Sequence, residues 1–271
     1  MLSRTITINA VEPKPRGWGS DYAAWFDAPS VAGRYVHRPP YPAPVFPLLA
    51  GLAADPPRAV LDAGCGPGDL ARGLAPLVGR VDAVDRSPRM LAAGRRLPGG
   101  DSGNLRWIVG EVERVPLEPP YALVVAGESV HWFDWPQAMP RFARVLSARG
   151  LLAIVYRDWL GAGELRRRLV EVYGRHGANP DFAPLDPVDE LERRGRFERR
   201  GERALAAQPW TPTRTELLAC HHSQNGFVVE RMRDPDRFDR ELTAVVDELA
   251  SPVNGRYRMQ VSATVVWGLP G

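Results

Sequence analysis

The chain has 271 residues, 44% of them hydrophobic and 25% charged, with a net charge of +3 and a pI near 9.1. This is an ordinary globular balance, long enough for one α/β domain with an elaborated cap, and no apolar run approaches a membrane span. Lys14 is the sole lysine, and the densest arginine cluster, Arg193 to Arg200, is interrupted by Glu198, as a solvated face would be and without the aromatic interleaving of a single-strand nucleic-acid binder.

In chain order, residues 1–20 are polar and contain Pro and Gly, which predicts a flexible arm. Residues 21–50 hold Tyr22, Trp25, Phe26, Tyr35 and Tyr41; one reading of them is an aromatic helix packed on a sheet edge. Val60-Leu61-Asp62-Ala63 is an apolar strand ending beside an acidic residue. Gly64, Gly66 and Gly68 follow at alternate positions, and Asp69 to Leu74 starts a helical pattern. A loop without Cβ atoms at a strand end and a helix N-terminus is where a backbone can lie close to a ligand. A dinucleotide fingerprint would need a third glycine at position 69. Asp69 there opposes a pyrophosphate, so a neutral or positively charged ligand fits better.

Val81 to Val84 is the next strand, with Asp85 at its end. Ser87-Pro88 makes a strong helix start. Further strands are expected at Leu105–Val109, Ala122–Ala126 and Gly150–Tyr156, the last a continuously apolar run that suits a parallel strand buried on both faces. Trp135-Pro136 opens a helix through about Leu146. An amphipathic helix from Glu164 to Tyr173 places Leu165, Leu169, Val172 and Tyr173 on one face. Arg196 to Leu205 reads as a strand. Thr213 with Glu216 makes a capping box for a helix through about His221. Asp234-Pro235 starts another helix with Phe238, Leu242, Val245, Val246 and Leu249 along one side. Arg256 to Trp267 is a last strand.

Several of these segments resemble the ordered motifs of the class I S-adenosylmethionine-dependent methyltransferases, in the small-molecule, type 11-like branch. Asp62 followed by G-x-G-x-G resembles motif I. Asp85-Arg86-Ser87-Pro88-Arg89-Met90-Leu91 resembles D-x-S-x-x-M-L. Gly110-Glu111-Val112-Glu113-Arg114-Val115-Pro116 resembles G-D-A-E-x-L-P, and His131-Trp132-Phe133-Asp134 resembles H-W-F-D. Tyr35 to Pro42 resembles the Y-x-x-x-R-P-x-Y-P segment before motif I, which in relatives forms part of a lid. The resemblance covers roughly residues 33–158. It implies an α/β fold: a Rossmann-like, seven-stranded, mostly parallel sheet with helices on both faces, an antiparallel last strand and a helical cap.

The implied organisation is an arm and lid at 1–45, a cofactor-binding core at 46–158, a part with substrate-cap helices and a sheet strand at 159–255, and the last strand at 256–271. The cofactor would be S-adenosyl-L-methionine, held by Asp62, Ala63, Gly64, Gly66, Asp85, Arg86, Met90, Glu111, Val112 and Ala126. In this family the acidic residue at Asp85 takes both ribose hydroxyls, and the pair at Glu111 and Val112 meets adenine. The methyl acceptor would be a small molecule near Tyr22, Tyr35, Arg38, Tyr156, Arg157 and His221.

His131 is the base candidate by position, with a structural role inside the H-W-F run as the alternative. Arg157 and Asp158 either orient a polar acceptor or pair with each other. His221 and His222, adjacent on a helix, point about a hundred degrees apart, so joint metal ligation is not expected. One is expected to face a pocket and the other solvent. Cys65 and Cys220 lack metal spacing, and the first residues lack a signal-peptide core, so a reducing, cytoplasmic setting is expected, with no nucleic acid, no membrane, and a monomer or homodimer. Two alternatives stay open: a cofactor-binding protein that no longer transfers methyl groups, and a nicotinamide-dependent oxidoreductase.

Overall fold

A computed structural model describes Lys14 and residues 16–271. The expected flexible arm lies mostly outside the described residues, which omit 1–13 and 15. Its described remainder is packed rather than loose. Asn179 donates to the Gly17 carbonyl at 3.1 Å, and the Trp18 indole donates to the Ala183 carbonyl at 2.8 Å.

Seven strands make one sheet: β1 (Ala59–Ala63), β2 (Arg80–Asp85), β3 (Leu105–Val109), β4 (Tyr121–Gly127), β5 (Leu146–Asp158), β6 (Phe197–Trp210) and β7 (Met259–Pro270). The order is β3-β2-β1-β4-β5-β7-β6. The first five run parallel, and β7 is antiparallel to both β5 and β6. The reversal between β3-β2-β1 and β4-β5 leaves a crevice at the C-terminal ends of β1 and β4, where open α/β sheets bind ligands.

The central strands are apolar without interruption because both of their faces are covered. Val60, Leu123, Val125, Ala153 and Val155 point into one core, and Leu61, Val124, Ala126, Leu152 and Ile154 into the other. The helices are α1 (Ser20–Ala23), α2 (Pro29–Tyr35), α3 (Val45–Leu52), α4 (Asp69–Leu74), α5 (Pro88–Gly94), α6 (Trp135–Val145), α7 (Gly163–His176), α8 (Pro187–Arg193), α9 (Arg214–His222) and α10 (Pro235–Leu249). α3, α4 and α5 cover the first face, while α6 and α8 cover the second. On α6, Trp135, Met139 and Phe142 are fully buried at helical spacing; each such side chain stabilises the fold by about 1.5–3 kcal/mol.

Local chemistry sets several boundaries. The Ser87 hydroxyl accepts from the Met90 N–H and caps α5. Thr213 and Glu216 form the reciprocal capping box of α9. Strand β6 lies at the sheet edge and carries Glu198, Arg199, Arg200, Glu202 and Arg203, mostly solvent-facing. A charged edge of this kind discourages pairing with another chain. Arg199 is paired with Glu192 and Glu202, and Arg200 with Glu198, so the arginine-rich segment is charge-matched.

α7, α9 and α10 build a third core with Phe227, Tyr257 and Met259. This is a cap added to the sheet, and α2 joins it to the body. Val31 and Ala32 of α2 pack with Met90 on one side and Val228 on the other. α8 lies on the sheet and is no part of the cap. His221 and His222 are both buried, contrary to the expectation that one faces solvent. His221 Nδ1 bonds the Leu217 carbonyl at 2.8 Å, and His222 bridges the Phe227 carbonyl and Asp239, each at 2.8 Å.

Candidate functional site

The cleft lies where strand order reverses, and about 1080 Å³ of space opens between its walls, part of it toward solvent. Its floor is the glycine loop. Gly64 has φ +67°, and a Cβ there would sit 2.6 Å from the Ser129 Cβ. Gly68 has φ +76°, and a Cβ there would meet the Trp107 ring at 2.4 Å. The glycines are therefore needed twice over, for backbone conformation and for close approach. The Tyr35 ring lies over Gly66, and Phe133 lies beside Gly64.

Asp85 stands at the end of β2. One carboxylate oxygen accepts from the Gly66 N–H and the other from the Ser87 N–H, both at 2.8 Å. Each oxygen has capacity for a further hydrogen bond, and Asp85 lines the cleft. Burial raises its pKa, against the pull of the Ser87 and Gly66 N–H groups. Burial likewise pushes Asp62 up to about 7, with Asp69 and Asp85 adding to the effect and the Ala71 N–H opposing it. Asp62 therefore braces the loop from beneath and does not line the cleft.

The Asp62 shift has a consequence for stability. Its folded pKa exceeds the unfolded value of 3.8, so the folded state binds more protons between pH 4 and 7, and stability falls as pH rises through that window. In Asp62→Asn this contribution is expected to vanish. Melting curves of the two proteins at pH 5 and pH 8 check it: the wild-type chain should lose a few degrees more than the variant, and parallel losses contradict it.

At the end of β3, Gly110, Glu111, Val112 and Arg114 form the next stretch of wall. Val112 is buried, and its N–H has no acceptor among the described residues. An unpaired backbone donor on a cleft wall is available to water or to a ligand acceptor. Glu111 pairs with exposed Arg114 at 2.8 Å. Met90 and Arg86 complete this half, so Gly64, Gly66, Asp85, Arg86, Met90, Glu111 and Val112 all reach the cleft. Ala63 and Ala126 are fully buried and do not line the cleft, although the Ala63 carbonyl accepts from the Oγ of the wall residue Ser129 at 2.7 Å.

The other half is aromatic. Phe26 meets Trp132 edge to face at 5.6 Å, and Tyr35 and Phe133 close the sides. Glu128, at the end of β4, has φ +52°, an uncommon conformation for a residue with a side chain and one found at functional sites. Its carboxylate accepts from the Arg157 N–H at 2.9 Å and pairs with Arg157 and Arg38 at 3.4 and 3.7 Å. The sequence reading did not assign Glu128 a role; its place just past a parallel strand is the signal that would have found it.

The residues expected at the acceptor divide. Tyr35 is on the wall. Arg38 is one layer back, donating to Tyr35, Ser223 Oγ and the Ser223 carbonyl at 2.8–2.9 Å. Arg157 is buried, donates to the Pro39 carbonyl at 2.7 Å and sits over the Tyr41 ring at 4.1 Å. It pins the Pro39–Tyr41 segment, and it does not pair with Asp158, which pairs with Arg166. Tyr22 donates to Asp181 and does not line the cleft. Tyr156 packs into the core on the opposite sheet face, with Leu185 and Phe197. His221 lies between Trp159 and Tyr173 inside the cap. Cys65 is buried in the first core, and burial pushes its thiol well above the usual range.

His131 neighbours the wall residue Trp132. Its ring packs against Trp18 at 4.8 Å and Trp132 at 4.7 Å. Burial, then Lys14 and Arg38, push its pKa down to about 3. Lys14 donates to the His131 and Phe133 carbonyls at 2.7 and 2.6 Å, and burial brings its pKa down to about 8. The chain's sole lysine thus bonds directly to the H-W-F segment.

Asp69 belongs to a different network from the one its position suggested. It pairs with Arg72 at 2.7 Å and with Arg157 at 3.5 Å and is not on the cleft wall. Its charge is therefore matched within the protein, and its position carries no case against a pyrophosphate.

Known proteins agree with this architecture. A family described as a methyltransferase domain matches residues 60–150. The chain is 37% identical over 114 residues to trans-aconitate 2-methyltransferase of Mycobacterium sp. (strain KMS), covering 41% of this chain and 42% of the relative. It is 36% identical over 108 residues to malonyl-[acyl-carrier protein] O-methyltransferase of Enterobacter lignolyticus, covering 39% of this chain and 41% of the relative. The chain spans about half the length of the curated relatives it matches. A solved structure from Anaeromyxobacter dehalogenans, named as a candidate type II methyltransferase, superposes with a TM-score of 0.62 at 20% identity, over 86% of this chain and 99% of that one. Residues 60–150 therefore match a methyltransferase domain, and the chain shares the fold of a solved methyltransferase.

Proposed function

We propose that this protein transfers a methyl group from S-adenosylmethionine to a small-molecule acceptor. The observation that carries the reading is the set of strand-end groups around the glycine loop: the Asp85 carboxylate, Glu111 and the unpaired Val112 N–H. A carboxylate suits a ribose diol, and a backbone donor beside a carboxylate suits the adenine edge. When bound, the cofactor supplies an electrophilic methyl on a sulfonium. The chain's own residues orient, enclose and desolvate. Gly64 and Gly66 give the backbone close approach. Tyr35 and Phe26 cover the cleft from the lid, with Trp132 and Phe133 facing them.

His131 as a general base gains no support from its surroundings. At a pKa near 3 it is neutral but a poor proton acceptor at pH 7. Its packing favours a role in holding Trp132. His131→Phe is expected to keep cofactor affinity and to change kcat less than tenfold, with no loss of an ionisation near pH 6.5. A hundredfold loss of kcat would restore the base role.

No helix among the described residues is long and apolar enough to cross a membrane. Cytoplasmic residence, with a monomer or homodimer, is part of the proposal, and the two buried free cysteines are consistent with it. The test is release of S-adenosylhomocysteine from S-adenosylmethionine in the presence of pooled small-molecule acceptors. Turnover supports the reading, whereas tight cofactor binding without turnover would favour a non-catalytic binder.

A further inference from the structure

One short segment, residues 20–35, spans the cleft from side to side; it consists of α1, a 3-10 turn over Ala24–Asp27, and α2. Ala23, Phe26 and Tyr35 line the cleft from it. The segment touches three walls. On the β4 side, Phe26 meets Trp132 edge to face at 5.6 Å. On the floor, the Tyr35 ring lies 3.7–3.8 Å from where a Gly66 Cβ would stand. On the β2 side, the Asp27 carboxylate accepts from Ser87 Oγ at 2.8 Å and from the Arg89 guanidinium at 2.9 Å. The gap between the Tyr35 ring and the Gly66 backbone would take a bonded Cβ at ordinary contact distance, but not a separate ligand atom. Nor is the ring free to swing aside. Arg38 donates to its hydroxyl at 2.9 Å and lies over its face at 4.0 Å. A ligand therefore reaches the Gly66 backbone only when the segment lifts.

The segment is held differently on its two sides. Toward the cap, Val31 and Ala32 pack with Val228, Glu230 accepts from the Ser30 hydroxyl at 2.5 Å, and Asn225 donates to the Tyr22 carbonyl. Toward the β2 side, the polar tie is Asp27, half exposed like its partner Arg89, beside the apolar contact with Met90. Exposed ion pairs are weak and screened by salt, so this side is the easier to release. The tie also reaches the corner that faces the ligand. Ser87 donates its hydroxyl to Asp27 and its N–H to Asp85, each at 2.8 Å.

We propose that residues 20–35 are a lid hinged on the cap and latched to the core by Asp27, and that release of the latch gates exchange of the ligand on the glycine loop. The identity of that ligand rests on the methyl-transfer reading; the latch does not. The full-length protein and its Asp27→Ala and Arg89→Ala variants are compared in two measurements. Hydrogen exchange without ligand is expected to quicken about fivefold across residues 20–35 in Asp27→Ala, with β1 and β4 unchanged. Arg89→Ala, which keeps the Ser87 bond, is expected to act in the same direction and less. Stopped-flow mixing with S-adenosylhomocysteine is expected to give association and dissociation rates that both rise about fivefold in Asp27→Ala, while Kd moves less than about twofold. The wild-type rates should also rise between about 0.05 M and about 0.5 M salt, and those of Asp27→Ala should not. Unchanged lid exchange overturns the proposal, and so does an unchanged association rate in a variant whose lid exchange has quickened. If lid exchange quickens and S-adenosylhomocysteine fails to bind the wild-type protein, the latch stands and the cofactor reading falls.

Discussion

Asp85→Ala is expected to weaken S-adenosylhomocysteine binding by about a hundredfold or more while the protein stays folded. The carboxylate is the polar group at the end of β2, and a hydroxyl pair bound to an ionised carboxylate contributes on the order of 3 kcal/mol. It also organises the site before any ligand arrives, because it accepts from Gly66 and Ser87 and so ties the glycine loop to the start of α5. Removing it leaves two N–H groups to water in an open cleft, a smaller loss than the ligand contact. Calorimetry gives the affinity and circular dichroism the fold. An unchanged Kd in a folded variant would show that Asp85 does not meet the ligand.

Gly64→Ala is expected to damage both stability and binding. A side chain at φ +67° costs about 1–2 kcal/mol. The new Cβ would also lie 2.6 Å from the Ser129 Cβ and 3.3 Å from the Phe133 ring. Ser129 cannot retreat freely, since its hydroxyl donates to the Ala63 carbonyl at 2.7 Å. The combined cost is roughly 2–4 kcal/mol, read as a melting temperature lower by about 5–15 °C. Gly33→Ala is the control: a Cβ at Gly33 meets nothing within 4 Å in the middle of α2, and its melting temperature is expected to hold or rise. Equal behaviour of the two variants would contradict the close-packed loop.

The sheet was legible because burial on both faces leaves a plain trace. The strand at Leu105–Val109 was read to the residue, and the other four parallel strands to within a few positions. Caps at Ser87, Thr213 and Asp234 were legible because each rests on a local hydrogen bond. The last strand was less so. Arg256 pairs with Thr213 and Val253 in isolated bridges, and the ladder begins at Met259, a register that depends on its partner β6. The wall was legible where motif residues carry it, from Gly64 to Val112.

What lay beyond the motifs depended on distant packing. Tyr156 and Arg157 are neighbours in sequence, and strand parity sends them to opposite faces. Nothing local shows that Asp69 is held by Arg157, 88 residues away, or that Lys14 reaches Phe133 across 119 residues. The cap helices were visible as amphipathic stretches, but the burial of both His221 and His222 follows from three helices meeting around Phe238.

The central claim is that this cleft holds a sulfonium cofactor through strand-end carboxylates. Calorimetric titration of the full-length protein with S-adenosylmethionine, S-adenosylhomocysteine and NADH tests it most directly. One-to-one binding of the first two and none of NADH is expected. Binding of NADH with no heat from either sulfur compound would contradict it.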